Sequence, residues 1–238
     1  MRSFSHFIGL AFLFAGSLAR AGGANHAQPT VLRWAEGQAG CTFSADETGN
    51  YHYGLWTSDF GIEITMDADE VRKSSLRVEP LFAVLLLVRD RGGSSLSINP
   101  GDIALEFVKH GHVTQRAIDP DDFARKMQTD ADAFARQIQR EIKKHPEKQS
   151  EKESLLRTHE KDVAETQEFL QSRSLRAAQL DQRNSEASGW IFFSAKSKWL
   201  GDWKSQELFV LRVPLADRLI EFPFALPPSR GDLLLRRR

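Results

Sequence analysis

The sequence predicts a mainly β fold with an α insertion: an antiparallel β-sandwich interrupted by a long antiparallel helical hairpin. Three observations predict it. From Cys41 to Val108 the signals are those of strands punctuated by turns, with the period of two that a half-buried strand requires. Between 119 and 187 the apolar spacing lengthens to that of a helix, and from Gly189 it returns to two. Neither strand block is large enough for comfortable stability alone, so 22–118 and 188–228 are expected to share one core. A sheet packed on helices is the alternative arrangement.

In the first block, 41–45 and 51–56 flank Thr48, Gly49 and Asn50, which is hairpin punctuation. In 60–66, Ile62, Ile64 and Met66 take one face while Glu63 and Thr65 take the other. The polar stretch 67–75 reads as a helical turn or an exposed loop. Residues 81–88 form an unbroken apolar run closed by Arg89, Asp90, Arg91 and two glycines, which suits a central strand covered on both faces. Asn99-Pro100-Gly101-Asp102 has proline and glycine where a type II turn wants them. It leads into the alternating Ile103, Leu105 and Phe107, so a second hairpin is expected here.

A helix is announced at Asp119 by an aspartate cap, a proline at the first helical position, and Asp121 and Asp122 near the positive helix end. Phe123, Met127, Phe134, Ile138 and Ile142 fall on one stripe, with Asp121/Arg125, Asp122/Lys126 and Asp132/Arg136 pairing beside it. His145-Pro146 breaks the helix. A second one carries Leu156, His159, Val163, Thr166 and Leu170, and ends between Ser172 and Arg183. Strands follow at 190–193, 207–213 and 219–226, the last two joined through Ala216 and Asp217. A basic tail occupies 229–238.

Ser97-Ile98-Asn99-Pro100-Gly101-Asp102-Ile103, with Gly189-Trp190-Ile191-Phe192-Phe193 far downstream, resembles exported bacterial immunoglobulin-like modules. The likeness spans 81–108 and 188–226. It implies an immunoglobulin-like sandwich, in a family whose members mostly have no assigned activity. Many of those relatives are lipid-anchored and have a short link where this chain inserts two helices.

The N-terminus has the layout of a secretory signal over 1–21: Arg2, an apolar stretch at 7–15, and Ala19-Arg20-Ala21 at a cut site. The stretch is shorter than the roughly 20 residues of a bilayer span, so no transmembrane anchor is expected after cleavage. Export to the periplasm or the extracellular space follows. Lysine plus arginine equals aspartate plus glutamate, 32 each, which leaves no global field to attract nucleic acid. The single cysteine, Cys41, cannot form an internal disulfide. It lies too far past the cut for lipid modification and is expected to be buried and unreactive.

His110 and His112 would point the same way on a strand, near Asp119, Asp121 and Asp122, yet two ligands do not make a zinc site, which needs three or four. No nucleophile elbow, Ser-x-x-Lys motif, metalloprotease helix or phosphate loop is present, and no cofactor is implied. Trp199 and Trp203 sit among Lys196, Lys198 and Lys204, where they could bind a ligand or fold back as a lid. Arg230-Gly231-Asp232 matches an adhesion tripeptide but stands alone. Phe123, Phe134 and Phe169, with Leu155 and Leu156, exceed what a narrow two-helix seam needs. These features point to a noncatalytic extracytoplasmic binding or assembly module, with a protein partner or self-association through Phe134, Phe169, Trp199 or Trp203. The alternative is a hydrolase or metal-dependent enzyme with an unrecognised site. Cleavage after Ala21 predicts a secreted chain beginning at Gly22, which intact-mass measurement of the exported protein checks.

Overall fold

A computed structural model describes residues 29–47, 49–67, 81–93, 95–196, 199–200 and 205–226 of the chain. The signal segment, most of the polar stretch 67–75, Trp203 and the basic tail with its adhesion tripeptide lie outside the described residues. The elements are β1 (Thr30–Arg33), β2 (Cys41–Ala45), β3 (Asn50–Trp56), β4 (Phe60–Asp67), β5 (Leu81–Asp90), β6 (Leu96–Ile98), β7 (Ala104–Phe107) and β8 (Val113–Arg116). Then come helices α1 (Pro120–Lys144) and α2 (Gln149–Arg173), and strands β9 (Ala178–Leu180), β10 (Glu186–Ser194), β11 (Glu207–Leu215) and β12 (Arg218–Leu226). The fold is mainly β with one helical hairpin, as the change of apolar period predicts.

Two five-stranded sheets, in the orders β10-β5-β4-β3-β2 and β1-β12-β11-β7-β8, contribute to one core, and β6 pairs with β9 at its margin. Alternation decides which side chains enter that core. Ile62, Ile64 and Met66 are fully buried, as are Leu211, Val213, Ile220 and Phe222 from the other sheet. Rings cross the gap: Phe82 stacks on Phe209 with centroids 6.4 Å apart, and Tyr53 lies 6.4 Å from Phe224. Cys41, opposite Leu55 at the edge, is a half-buried free thiol against this core. At one end Arg218, in the β11–β12 turn, reaches across to Asp59 in the β3–β4 turn at 2.7 Å. Hydrogen bonds from Ser58 and then Arg218 hold the Asp59 carboxyl below its ordinary pKa.

The apolar run in β5 lies between β4 and β10 as a central strand should. Its residues Phe82, Val84, Leu86 and Val88 face the shared core, while Leu81 and Ala83 face the helices. With Phe192 of β10 they meet Met127, Ala131, Val163 and Leu170 in a second core, flanked by Phe123, Phe169 and Trp190. The helices therefore cover an outer sheet face, so both arrangements weighed from the sequence occur together. Further along β5, Leu85 and Leu87 are only half-buried.

Several local expectations are corrected. The 99–102 turn does not close a hairpin, because β6 and β7 do not pair with each other: β6 pairs with β9, and β7 with β11 and β8. Pro100–Asp102 is a 3-10 turn capped by Asn99, whose side chain accepts from the Gly101 N–H, and it carries the chain from the small sheet into the second large one. The sheets are not wholly antiparallel, because β1 joins β12 in parallel. The second helix ends at Arg173, inside the expected range of 172 to 183, but β9 at 178–180 and the start of β10 at 186 fall within the stretch 119–187 that the sequence predicts to be helical hairpin. The side pairs beside the α1 stripe also differ. Arg125 takes Asp122 one turn back, Asp121 bonds to Arg176 beyond α2, and Asp132 accepts from Gln128.

Pro214 and Pro223 are tolerated inside strands because each lies past the end of a neighbour. The β7 partners of β11 stop at Arg212, and the β1 partners of β12 stop at Glu221. Because Leu170 is 1 % exposed in the helix–sheet core, Leu170→Ala should cost about 3 kcal/mol in urea unfolding. Leu155→Ala, on an exposed position, should stay within about 0.5 kcal/mol.

Candidate functional site

The helical arm begins at Asp119, whose Oδ1 accepts from the backbone N–H groups of Asp121 and Asp122, each at 2.9 Å. Those bonds, from Asp122 first, hold its carboxyl below the ordinary aspartate value. Gln167 of α2 donates to the Ala124 carbonyl at 3.0 Å and ties the two helices near the sheet. The sheet-facing cluster stops at Ala131 on α1 and resumes at Val163 on α2. Beyond it α1 runs on to Lys144, roughly 20 Å at 1.5 Å per residue.

Contacts between the two helices hold this outer part. Ile138 is 2 % exposed, and the Phe134 ring lies 4.5 Å from that of His159. Near the tip Lys152 bonds to Glu141 at 2.6 Å, which raises the lysine pKa and lowers that of the glutamate. Leu155, at 48 %, is among the few large apolar residues exposed in the described chain. Of the proposed anchors, Phe134 is thus half-buried in the helix seam. Phe169 is half-buried against the sheet, its ring 5.8 Å from Phe192.

The tryptophan loop folds back at its first residue. Trp199 stacks on His110 with centroids 4.3 Å apart and planes within 12°, and its other neighbour is Phe107 at 5.4 Å. Leu200 follows it into the core at 4 % exposure. His110 Nε2 lies 3.0 Å from Glu207 Oε2. A carboxylate that orients an imidazole is half of a base-assisted nucleophile, but among the described residues no hydroxyl or thiol bonds to this ring.

The two histidines do not share a strand face. His110 closes a 3-10 turn, and Gly111 and His112 both adopt left-handed conformations, at φ +67° and +58°. The chain reverses there, so His112 bonds to Glu106 while His110 turns to Glu207. Among the described residues no three His, Cys, Asp or Glu side chains are grouped to hold a metal, and no helix is long and apolar enough to cross a membrane.

A feature not anticipated from the sequence crosses the outer face of the second sheet. Arg33 Nη1 contacts Glu221 Oε2 at 2.8 Å, Arg212 Nε contacts Glu221 Oε1 at 3.1 Å, and Arg212 Nη2 lies 2.6 Å from Glu106 Oε2. The last contact is close in charge terms, but its angle leaves Glu106 Oε2 without an aligned hydrogen bond. His112 completes the line on Glu106 Oε1. The carboxylates are 5 % and 9 % exposed, so the arginines are what makes burial of two like charges tolerable.

Compared with known proteins, the chain matches no family model, no curated protein and no solved structure. The ion line yields a direct test. Arg212→Met leaves each glutamate with one partner and should cost about 2 to 3 kcal/mol in urea unfolding. Arg212→Lys, whose ammonium lacks the fork needed to reach both, should recover only part of that loss.

Proposed function

We propose that this protein is a noncatalytic extracytoplasmic binding or assembly module, in which an immunoglobulin-like framework carries the helical arm as its recognition element. The observation that carries the reading is the arm's division into two parts. Its base is sealed onto the sheet by Leu81, Ala83 and Phe192, whereas its outer part exceeds that contact and exposes Leu155. An amphipathic hairpin held rigidly at one end presents a stable surface to a partner, so little ordering cost remains for binding. The signal layout of 1–21 supports an extracytoplasmic setting.

Phe134 and Phe169 contribute mainly by fixing the arm's shape, since both already touch residues of this chain. Leu155 is the side chain left to meet a partner. Crosslinking in the native envelope should therefore yield adducts that are lost in Leu155→Asp, with unchanged far-ultraviolet circular dichroism. Phe134→Asp with Phe169→Asp should lose the adducts and some thermal stability. Sedimentation of the purified protein separates self-association from a second component. An unchanged adduct set in Leu155→Asp would exclude the arm.

A further inference from the structure

The outer face of the first sheet carries an aromatic side chain laid flat on purpose-built ground. Trp56 of β3 pairs with Gly61 of β4, and Gly54, two residues before it, pairs with Glu63. A Cβ at Gly61 would come within 2.2 Å of the Trp56 ring carbons Cε3 and Cζ3. One at Gly54 would come within 2.6 Å of its Nε1. The six-membered ring therefore rests on one glycine backbone and the pyrrole edge on the other. Any larger residue at either position would lift the indole off the sheet. The Nε1 donates to Thr42 Oγ1 at 3.3 Å, which fixes the ring's rotation. With one face against two backbones, the opposite face of the indole is turned away from the sheet.

That indole borders a groove of about 530 Å³ whose other lining residues are Arg89, Asp90, Arg91, Ser185 and Glu186. This volume is within the usual range of small-ligand sites, roughly 300 to 1,000 Å³. The polar side chains are held in place. Arg89 Nε bonds to Glu186 at 2.6 Å, Asp90 accepts from the N–H groups of Gly92 and Gly93, and Arg91 Nη1 donates to the Thr57 carbonyl at 3.0 Å. Two arginines face two carboxylates, so the groove offers donors and acceptors without a net field. A nucleotide phosphate gains nothing from that balance, and an apolar peptide would strand the charges. A neutral, flat ligand edged with hydroxyls satisfies both the platform and its rim.

We propose that Trp56 and this groove form a carbohydrate-binding site for a neutral hexopyranose unit of a glycan. The sugar's axial C–H face stacks on the indole, and its hydroxyls bond to Glu186, Arg89 and Ser185. The site is separate from the helical arm and stands whether or not the arm binds a partner.

Isothermal titration with cellotetraose, maltotetraose and chitotetraose tests it, using the mature protein and ligand up to about 10 mM. At least one of the three should bind. Trp56→Ala should weaken that binding about tenfold or more. Because removing the indole also uncovers two glycines, Glu186→Ala provides a second reading. Its side chain is exposed and bonds to Arg89 on the neighbouring strand, so the fold is kept while binding should fall several-fold. Absence of binding by all three sugars would overturn the proposal, as would unchanged affinity in Glu186→Ala. Tighter binding of adenosine monophosphate than of any sugar would overturn it as well.

Discussion

The structure depends on one sheet being buried from both sides at β5 and β10. Phe82, Val84, Leu86 and Val88 point into the core shared with the second sheet, and Leu81, Ala83 and Phe192 point the other way into the helices. A strand that is apolar on both faces cannot be left with one of them in water, so the hairpin is part of the sheet's own burial. The dependence runs in both directions. Isolated helices of modest length are marginal in water and draw their stability from tertiary packing. The base of the arm obtains that packing from β5 and β10, while the outer half relies on Ile138, the Phe134–His159 contact and the Glu141–Lys152 bond.

The two sheets dispose of their outer faces differently. The first is covered by helices at one end and by an indole lying over glycines at the other. The second is crossed by a line of alternating charge from Arg33 to His112. That line touches β1, β12, β11 and β7, so it joins strands that backbone pairing alone connects only in sequence. Charge in such a position stabilises the fold less than apolar packing of equal volume would. It is selective, however, because a shift of one residue in any of the four strands would turn a charged side chain, Arg33, Glu221, Arg212 or Glu106, toward the core.

Much of this architecture was legible in the residues, and what was not has a physical reason. Period-two and helical stretches place β4, β11, β12 and both helices, since burial of one face imposes alternation directly, and the unbroken apolar run at 81–88 places β5 as a strand covered on both faces. The turn at Ala216 and Asp217 even implies the pairing of Arg212 with Glu221, because a two-residue hairpin sets every register behind it. Glu106 and His112 could not be added the same way. They meet through a 3-10 turn and two consecutive left-handed residues, which leave no periodic trace. The segment from Asn99 misled for a related reason: proline and glycine mark a turn but do not say which sheet the chain enters next. Trp56 was passed over because its role lies in two glycines on adjacent strands, and a lone glycine in a strand reads as a weakness until the neighbour is known.

The parallel pairing of β1 with β12 joins residues almost a whole chain apart: Arg33 and Glu221 are 188 positions distant. The middle of that sheet, β11 and β12, follows the helical hairpin in the sequence. Contacts so remote repay their loop-closure entropy only after the final strand is available. Residues 30–33 and 104–116 therefore wait on 207–226 before that sheet can close.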